Sequence, residues 1–286
     1  MKNKLAIVIV NYNDYDTTKQ LLDNIKDYSC LNKIVIVDNN STDNSYQKLQ
    51  KLETDKINII RNNKSKSYAS GLNLGSKYLI KKFKNINIIF SNSDIIIKSE
   101  KDLIKLSSDI GKFNIGVIGP VINEHGTLNR GWMLPNANKE ILFNLPLISR
   151  YFKKKYLSYN PSHYNEKISI VGAVSGCFFI VNSNLLKEIN YFDENTFLYY
   201  EENILAKKVE KTSYQIAIDN EVEIMHNHSV TIDKAQTKVN KYKILKNSQR
   251  YYVKEYLNAN KLQLFILYIT NKLSLLILYI RCIFKK

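Results

Sequence analysis

The sequence predicts an α/β domain on a mainly parallel, doubly covered sheet, followed by C-terminal amphipathic helices. Three observations lead there. Short apolar runs alternate with helical spacings through the first 120 residues, the pattern of strands with helices on both faces of their sheet. Three of those runs end in short polar side chains: Asn11-Tyr12-Asn13, Asp38-Asn39-Asn40 and Ser91-Asn92-Ser93-Asp94. In such sheets ligands collect at the carboxyl ends of strands, so three polar ends together suggest a site. Finally, the last fifty residues are both the most basic and the most apolar part of the chain.

In chain order, Leu5–Asn11 reads as a strand. Its apolar run, Leu5–Val10, is shorter than the roughly 7–15 residues of a secretory signal, so no targeting segment is expected and the chain is expected to be cytoplasmic. Tyr15–Tyr28 has helical spacing. Lys33–Asp38 is a second strand, and Ser41-Thr42-Asp43 opens a helix running through Lys51, with Ser41 or Thr42 placed to cap it. Ile57–Arg61, Ile86–Phe90 and Ile115–Ile118 are further strands; Ser70–Phe83 and Lys101–Ile110 are helices. After Asn123 the alternation stops and residues 124–168 read as irregular. Residues 169–182 read as a bent strand pair in which Gly172 and Gly176 permit close backbone approach. Glu201–Lys211 is a helix entered by two adjacent carboxylates, Tyr214–Ile218 a strand, and Met225–His228 follows a further polar/apolar alternation.

The 286 residues carry a formal net charge of +16, and a 44% hydrophobic content excludes a disordered chain. Cys30, Cys177 and Cys282 are too few and too scattered for a disulfide scaffold or zinc module, which points to a reducing compartment. From Lys238 to Lys286, eleven basic residues stand against one acid, Glu255. A basic excess this local concerns partners rather than fold. In Leu262–Phe284 the residues Gln263, Thr270, Ser274 and Arg281 share one narrow stripe, and the rest is almost all Leu, Ile, Phe and Tyr. A helix lying in an anionic membrane surface has this form. A phosphate-tracking face does not need so much Leu and Ile, so no nucleic-acid partner is expected. A core or oligomer-packing helix, as in a homodimer, and a true span are the alternatives. A span would put Asn271 and Lys272 near mid-bilayer, where each charge costs at least about 2.5–3.5 kcal/mol.

The set VNYN (10–13), VDNNSTD (37–43), YASGLNLG (68–75), NSD (92–94), FDENTFLYYEE (192–202) and HNHS (226–229) resembles the family 2 glycosyltransferases of the GT-A fold. The likeness is nearest to the rhamnosyltransferase-like branch that builds bacterial surface polysaccharides, and it covers residues 5–255. It implies a Rossmann-like nucleotide-binding half (1–120), an acceptor-side half (121–237) and a basic extension (238–286). It also implies inverting transfer of a sugar, with dTDP-rhamnose the leading donor, to a lipid-linked saccharide at the inner face of the cell membrane. A divalent cation, Mn2+ or Mg2+, is the implied cofactor, because charge grows on the departing diphosphate and a hard cation prefers carboxylate oxygens. Asp94 is the candidate ligand. The family's usual Asp-x-Asp reads Asn92-Ser93-Asp94 here, so Asn92 offers only a neutral oxygen; a loop start or helix cap is the alternative reading.

The resemblance further implies that Asp38 accepts a hydrogen bond from the nucleobase, with Asn11, Asn13 and the backbone at Val10 lining the pocket; a turn-forming Asp-Asn is the alternative. Gly71 and Asn73 belong to the turn and helix beneath the nucleotide, although Gly71 and Gly75 equally suit helix–sheet packing. Glu202 matches the second acid of the family's Glu-Asp pair, the catalytic base, with Glu201 one register away; the helix dipole also explains two adjacent acids. Ile204 replaces an Asp common in the family, and Lys208 an Arg. Gly176 and Tyr200 stand on the acceptor side. His226 and His228, at alternate positions, face one way, toward the metal or diphosphate or as structural histidines. Arg250, with Lys246 nearby, is expected on a loop over the donor phosphates. A non-catalytic partner protein keeping the fold is the rival reading.

Overall fold

The computed structural model describes residues 4–63, 67–145, 148–227 and 238–283. Its first half is β1 (Lys4–Asn11), α1 (Tyr15–Ile25), β2 (Lys33–Asp38), α2 (Ser45–Gln50), β3 (Ile57–Arg61), α3 (Tyr68–Lys82) and β4 (Ile86–Ser91). The strands lie parallel in the order β3-β2-β1-β4. Along β1, Leu5, Ile7 and Ile9 enter one core with Leu21, Leu22 and Ile25 of α1. Ala6 and Val8 enter the other with Ala69, Leu72 and Leu79 of α3. Period-two alternation with both faces covered is why these strands read as unbroken apolar runs. The register sets Asn11 beside Asp38 and Asp38 beside Arg61, so the polar strand ends line one edge of the sheet.

The second half comprises β5 (Ile95–Ile96), α4 (Glu100–Asp109), β6 (Ile115–Glu124), β7 (Thr127–Asn129), α5 (Ala137–Leu142), α6 (Ser149–Leu157), β8 (Ile168–Ile170), β9 (Phe178–Asn182), α7 (Ser183–Glu188), α8 (Glu201–Val209) and β10 (Gln215–His226). Two C-terminal helices follow, α9 (Lys238–Tyr256) and α10 (Lys261–Ile283). The sheet continues β4-β9-β6-β10-β5, with β7 on β6 and β8 on β10. Strand β9 is antiparallel to both its neighbours, whereas β6 and β10 are parallel.

Several expectations change here. Residues 169–182 do not form a strand pair: β8 joins β10, while β9 inserts between β4 and β6. The segment between them is held instead by an antiparallel bridge from Trp132 to Ala173, and a β-carbon at Gly172 would stand 2.7 Å from the Trp132 carbonyl. The stretch 124–168 contains a short strand and two helices. The two C-terminal alternations are one strand, β10, irregular between Asp219 and Glu223. Helix α2 starts at Ser45, whose N–H is accepted by Asp43, so neither Ser41 nor Thr42 caps it. Helix α3 begins earlier than expected because Ser67 accepts from the Ser70 N–H.

The C-terminal helices are docked on the domain. Tyr252, Val253 and Leu267 form a third apolar cluster with Ala137 of α5 and Ile204 of α8. An apolar residue at 204, where the resembling family often has Asp, is what this contact requires.

Gly75 marks the tightest helix–sheet approach, since a β-carbon there would lie 2.5 Å from Val8 Cγ1 and 3.3 Å from Val37 Cγ2. Gly75→Ala gains about 1 kcal/mol of helix propensity, but overpacking costs about 1–3 kcal/mol. The expected outcome is a lower Tm in thermal unfolding. A raised Tm would show that α3 has room to lift off β1.

Candidate active site

The ends of β1 and β2 build the first cluster. Asp38 is fully buried; its Oδ1 accepts from Asn11 Nδ2 at 2.9 Å and its Oδ2 from the Ser41 N–H at 3.1 Å. Two donors offset much of the cost of burying a carboxylate. The Thr18 hydroxyl donates to Asn11 Oδ1 at 2.9 Å and fixes that amide in turn. Asn13, at a φ of 51°, adopts the left-handed conformation that Asn tolerates. Its N–H donates to Ser41 Oγ at 2.9 Å, and its Oδ1 accepts from the Thr42 N–H at 2.7 Å. Ser41 is therefore the hub of the 38–43 loop. Asn39 carries the connection onward: it donates to the Ser67 carbonyl at the start of α3 and accepts from Asn62. Gly71 lies here, with its β-carbon position 3.0 Å from Val10 Cγ1, so what it permits is the approach of α3 to β1. Asn73, expected in the nucleotide-binding set, has its amide engaged within the chain. Its Nδ2 donates to the Phe192 carbonyl and to Glu194, and its Oδ1 accepts from the Phe192 N–H. With both ends of the amide committed, Asn73 clasps the 192–194 loop.

The second cluster lies beyond β4. The Asn92 N–H donates to the Cys177 carbonyl at 2.8 Å, and Asn92 Oδ1 accepts from the Tyr68 hydroxyl at 2.9 Å. Burial, and then Glu201, Glu202, Cys177 and Asp94, push the Tyr68 hydroxyl well above its ordinary 10. Strand β5 pairs with the end of β10, setting His226 opposite Ile95, while β6 runs alongside to end at Glu124. Asp94 Oδ1 consequently stands 3.2 Å from His226 Nε2, and Glu124 Oε1 stands 3.1 Å from Nδ1. Burial opposes charging this imidazole, but the hydrogen bond to Asp94, with Cys177 adding, outweighs it and pushes the pKa up to about 11.

Surroundings that hold a proton so firmly also suit a cation. Two adjacent ligands, each about 2.1 Å from an octahedral ion, stand about 3 Å apart, close to the observed Asp94–His226 spacing. Glu124 on the far nitrogen is the outer carboxylate that commonly orients a ligating histidine. Among the described residues no group of three or more His, Cys, Asp or Glu side chains is arranged to hold a metal. An ion completed by substrate phosphates and water needs only one or two protein ligands, and Asp94 with His226 fits that case. His228 lies outside the described residues.

The third cluster is the start of α8. Tyr199 and Tyr200 both have positive φ, 74° and 71°, a conformation bulky residues rarely adopt and one that concentrates at functional sites. The Tyr200 hydroxyl, expected on the acceptor side, braces this turn from outside. It donates to Glu140 of α5 at 2.8 Å, and the same carboxylate oxygen accepts from Gln249 of α9 at 2.7 Å. The Glu202 carboxylate rests on Gly176, where a β-carbon would overlap it. Burial raises its pKa, opposed by its own N–H and that of Gly176. Glu201 is 8% exposed, and its Oε1 has no hydrogen-bond partner among the described residues. Burial, then the charge of Glu202, pushes its pKa up to about 8. The pair is thus asymmetric, with Glu201 holding its proton near neutrality and Glu202 seated on an amide.

Arg250 is the remaining correction. It stands within α9 rather than on a loop, with its guanidinium 5.9 Å from the ring centre of Tyr268 on α10. Conversely, Tyr68, Glu124 and Glu140 were missed. Tyr68 lay inside the YASGLNLG motif, and Glu124 ends an apolar run as the other site residues do. Glu140 carried no sequence signal, because its partners lie 60 and 109 residues away.

Comparison with known proteins places this geometry. Residues 6–189 match the family model described as glycosyl transferase family 2. The chain is 24% identical over 232 residues to the low-salt glycan biosynthesis hexosyltransferase Agl10 of Haloferax volcanii, covering 80% of this chain and 69% of that one. In fold it is similar to the mannosyltransferase PcManGT of Pyrobaculum calidifontis, solved with GDP-Man and Mn2+, at a TM-score of 0.62 and 12% identity over 96% of this chain and 72% of the other. It is also similar to GalNAc-T7, solved with UDP, GalNAc and Mn2+, at a TM-score of 0.60 and 13% identity over 90% of this chain and 50% of the other.

The raised pKa of Glu201 has a signed consequence. A carboxyl held at about 8 when folded, against an ordinary 4.5, favours folding fully below the lower value and loses that contribution as pH rises through the higher one. Glu201→Gln cannot ionise. The wild-type Tm should therefore fall between about pH 5 and pH 8.5 more steeply than that of the variant. Parallel curves for the two proteins would show that Glu201 ionises freely.

Proposed function

The chain belongs to glycosyl transferase family 2, and on that premise we propose that it moves a hexosyl group from a nucleoside-diphosphate sugar to a saccharide acceptor, with inversion at the anomeric carbon. The observation that carries this reading is the Asn92–Cys177 backbone bond, which brings the turn bearing the Asp94–His226 pair beside the Gly176 on which Glu202 rests, at the same end of the sheet as the Asp38 cluster. The sugar nucleotides and Mn2+ held by two proteins of similar fold support the donor class and the cation. The hexosyltransferase relative supports the sugar class. Within that class dTDP-rhamnose is the leading donor, on the likeness of the motifs. The acceptor is a lipid-linked saccharide of bacterial surface-polysaccharide synthesis, which puts the working enzyme at the cytoplasmic face of a membrane.

Each cluster then has a task. Asp38, oriented by Asn11 and Ser41, accepts an N–H of the nucleobase. Glu202, seated on Gly176, takes the proton of the acceptor hydroxyl as that oxygen attacks the anomeric carbon. The attack comes from the face opposite the diphosphate, and the bond to the diphosphate breaks with its electron pair leaving on oxygen. A divalent cation held by Asp94 and His226 would supply the charge that offsets the growing negative charge of this leaving group. Burial raises the pKa of both glutamates, while the Gly176 N–H favours the charged form of Glu202. Tyr68 holds Asn92 and hence the backbone that presents Asp94.

Purified chain tested on UDP-, dTDP- and GDP-sugars, with and without Mn2+, separates this reading from a non-catalytic partner protein, which would hydrolyse none of them. Glu202→Gln should lower transfer about 100-fold or more while donor affinity by calorimetry changes little. If Glu201→Gln is the crippled variant instead, the base is one residue earlier.

Asp94→Asn should abolish Mn2+-dependent turnover while the chain still folds, with a Tm lowered by loss of the His226 partner. Full activity of that variant at limiting Mn2+ would remove Asp94 from the metal site.

A further inference from the structure

Helix α10 is long and apolar enough to cross a membrane by length and composition, yet its polar stripe is already occupied. Gln263 Nε2 donates to Asn138 of α5 at 2.7 Å, Thr270 is 8% exposed, and the Ser274 hydroxyl donates to the Asn144 carbonyl. From Gln263 to Ser274 this docking runs about 16 Å along the helix, at about 1.5 Å per residue. The side turned outward is the apolar one. Leu262, Phe265, Ile269, Leu273, Leu276 and Ile280 recur at spacings of three and four and are all exposed, Leu262 by 66% and Phe265 by 61%. Leu264 and Leu267 pack into the third apolar cluster, but the wider apolar stripe, unlike that of an ordinary surface helix, is turned away from the core.

One edge of that stripe is basic and aromatic. Tyr268 and Tyr279 stand along it, with Lys261 and Lys272 at the same helical angle. The Lys272 ammonium lies 5.4 Å from the Tyr268 ring centre. Helix α9 adds Lys243, 5.9 Å from the Tyr279 ring centre, and Arg250 beside Tyr268. A second copy of this chain would meet the edge with the same positive charge. An anionic lipid surface complements both parts at once, taking the apolar side chains to the depth of the acyl boundary and pairing its headgroups with the cations. Tyrosine is enriched at that depth.

We propose that α10 lies in the plane of an anionic bilayer, with its polar stripe on the protein, its apolar stripe in the lipid, and the Lys243/Lys261/Lys272 edge at the headgroups. The proposal deepens the reading of a membrane-borne acceptor by identifying the surface that reaches it, and it rests on that reading only for its purpose. An in-plane helix also answers the span: with Gln263 tied to Asn138 of α5 and Ser274 to Asn144 just beyond it, along three turns, α10 cannot stand upright without breaking those contacts.

The test uses the full chain and sedimentation with vesicles of phosphatidylcholine, with or without about one-third phosphatidylglycerol. Co-sedimentation with the anionic vesicles should exceed that with neutral ones at least tenfold, at about 1 kcal/mol for each cation near the surface. It should weaken as salt rises, because screening acts over about 8 Å at physiological ionic strength. Lys243→Glu with Lys272→Glu should remove the anionic preference. Phe265→Ser, Ile269→Ser and Leu276→Ser together should remove binding, with Tm and nucleotide-sugar hydrolysis retained. Three results would overturn the proposal: equal binding by all variants; a wild-type dimer that ignores vesicles and becomes monomeric with the serine variant; or wild-type chain left in carbonate-washed membranes. Intact vesicle binding without any sugar-nucleotide turnover would overturn the enzymatic reading and leave this surface standing.

Discussion

A carboxylate taken out of water must be given donors, a counter-charge or a proton, and the site edge of this sheet is organised by five separate answers to that demand. Asp38 receives an amide N–H2 and a backbone N–H. Asp94 receives an imidazole. Glu140 receives a phenol and a glutamine amide. Glu202 is set against a glycine amide, and Glu201 retains its proton. The answers draw on different elements, so the acids tie together β1, β2, the β5–β10 pair, α5, α8 and α9. Removing one partner strands a buried charge, which is why such networks are costly to break even where their net contribution to stability is small.

The demand also explains why the C-terminal helices are integral. Tyr199 and Tyr200 hold a strained turn that delivers the two glutamates into α8. Strain of this kind persists only where surrounding structure over-determines it. Here Tyr200 is fixed by its bond to Glu140 and by Tyr252, whose ring centre lies 5.3 Å away. Gln249 and Tyr252 both belong to α9. Asp193, at the other end of the same loop, accepts from the hydroxyls of Tyr251 and Tyr256, also on α9. Helix α9 thus holds both ends of the loop that leads to the glutamates.

How much of this was legible in the sequence follows from how local each cause is. Strands β1, β2 and β4 were readable because each is buried on both faces, and the edge strand β3 because its apolar run is short and bounded by polar residues. Asn11, Asp38 and Asp94 were readable because they end such runs. The paired acids were readable because they are adjacent in the chain. What failed was non-local. The antiparallel entry of β9 between β4 and β6 depends on a long loop held at Trp132, which no periodicity reports. Ser41 looked like a helix cap until Asn13 and Asn11 were seen to claim its oxygen. Asn73 resembled a nucleotide ligand because its motif did, yet its amide answers to a loop 119 residues away. The stripe on α10 was correctly located, but which side faced the protein depended on α5, a helix the sequence did not announce.

The direction of that stripe connects the two ends of the functional reading. Asn138 of α5 and Asn144, two residues past its end, both bond α10, and between them lies Glu140, the brace of Tyr200. The surface proposed to meet lipid and the turn that aims the proposed base are therefore separated by one six-residue helix. For an enzyme whose acceptor is fixed in a membrane, the position of the base relative to the bilayer matters as much as its position relative to the donor, because effective concentration and orientation both come from holding the reacting groups in register. On the proposed reading, the path from α10 through Asn138 and Glu140 to Tyr200 would set that height without a flexible tether.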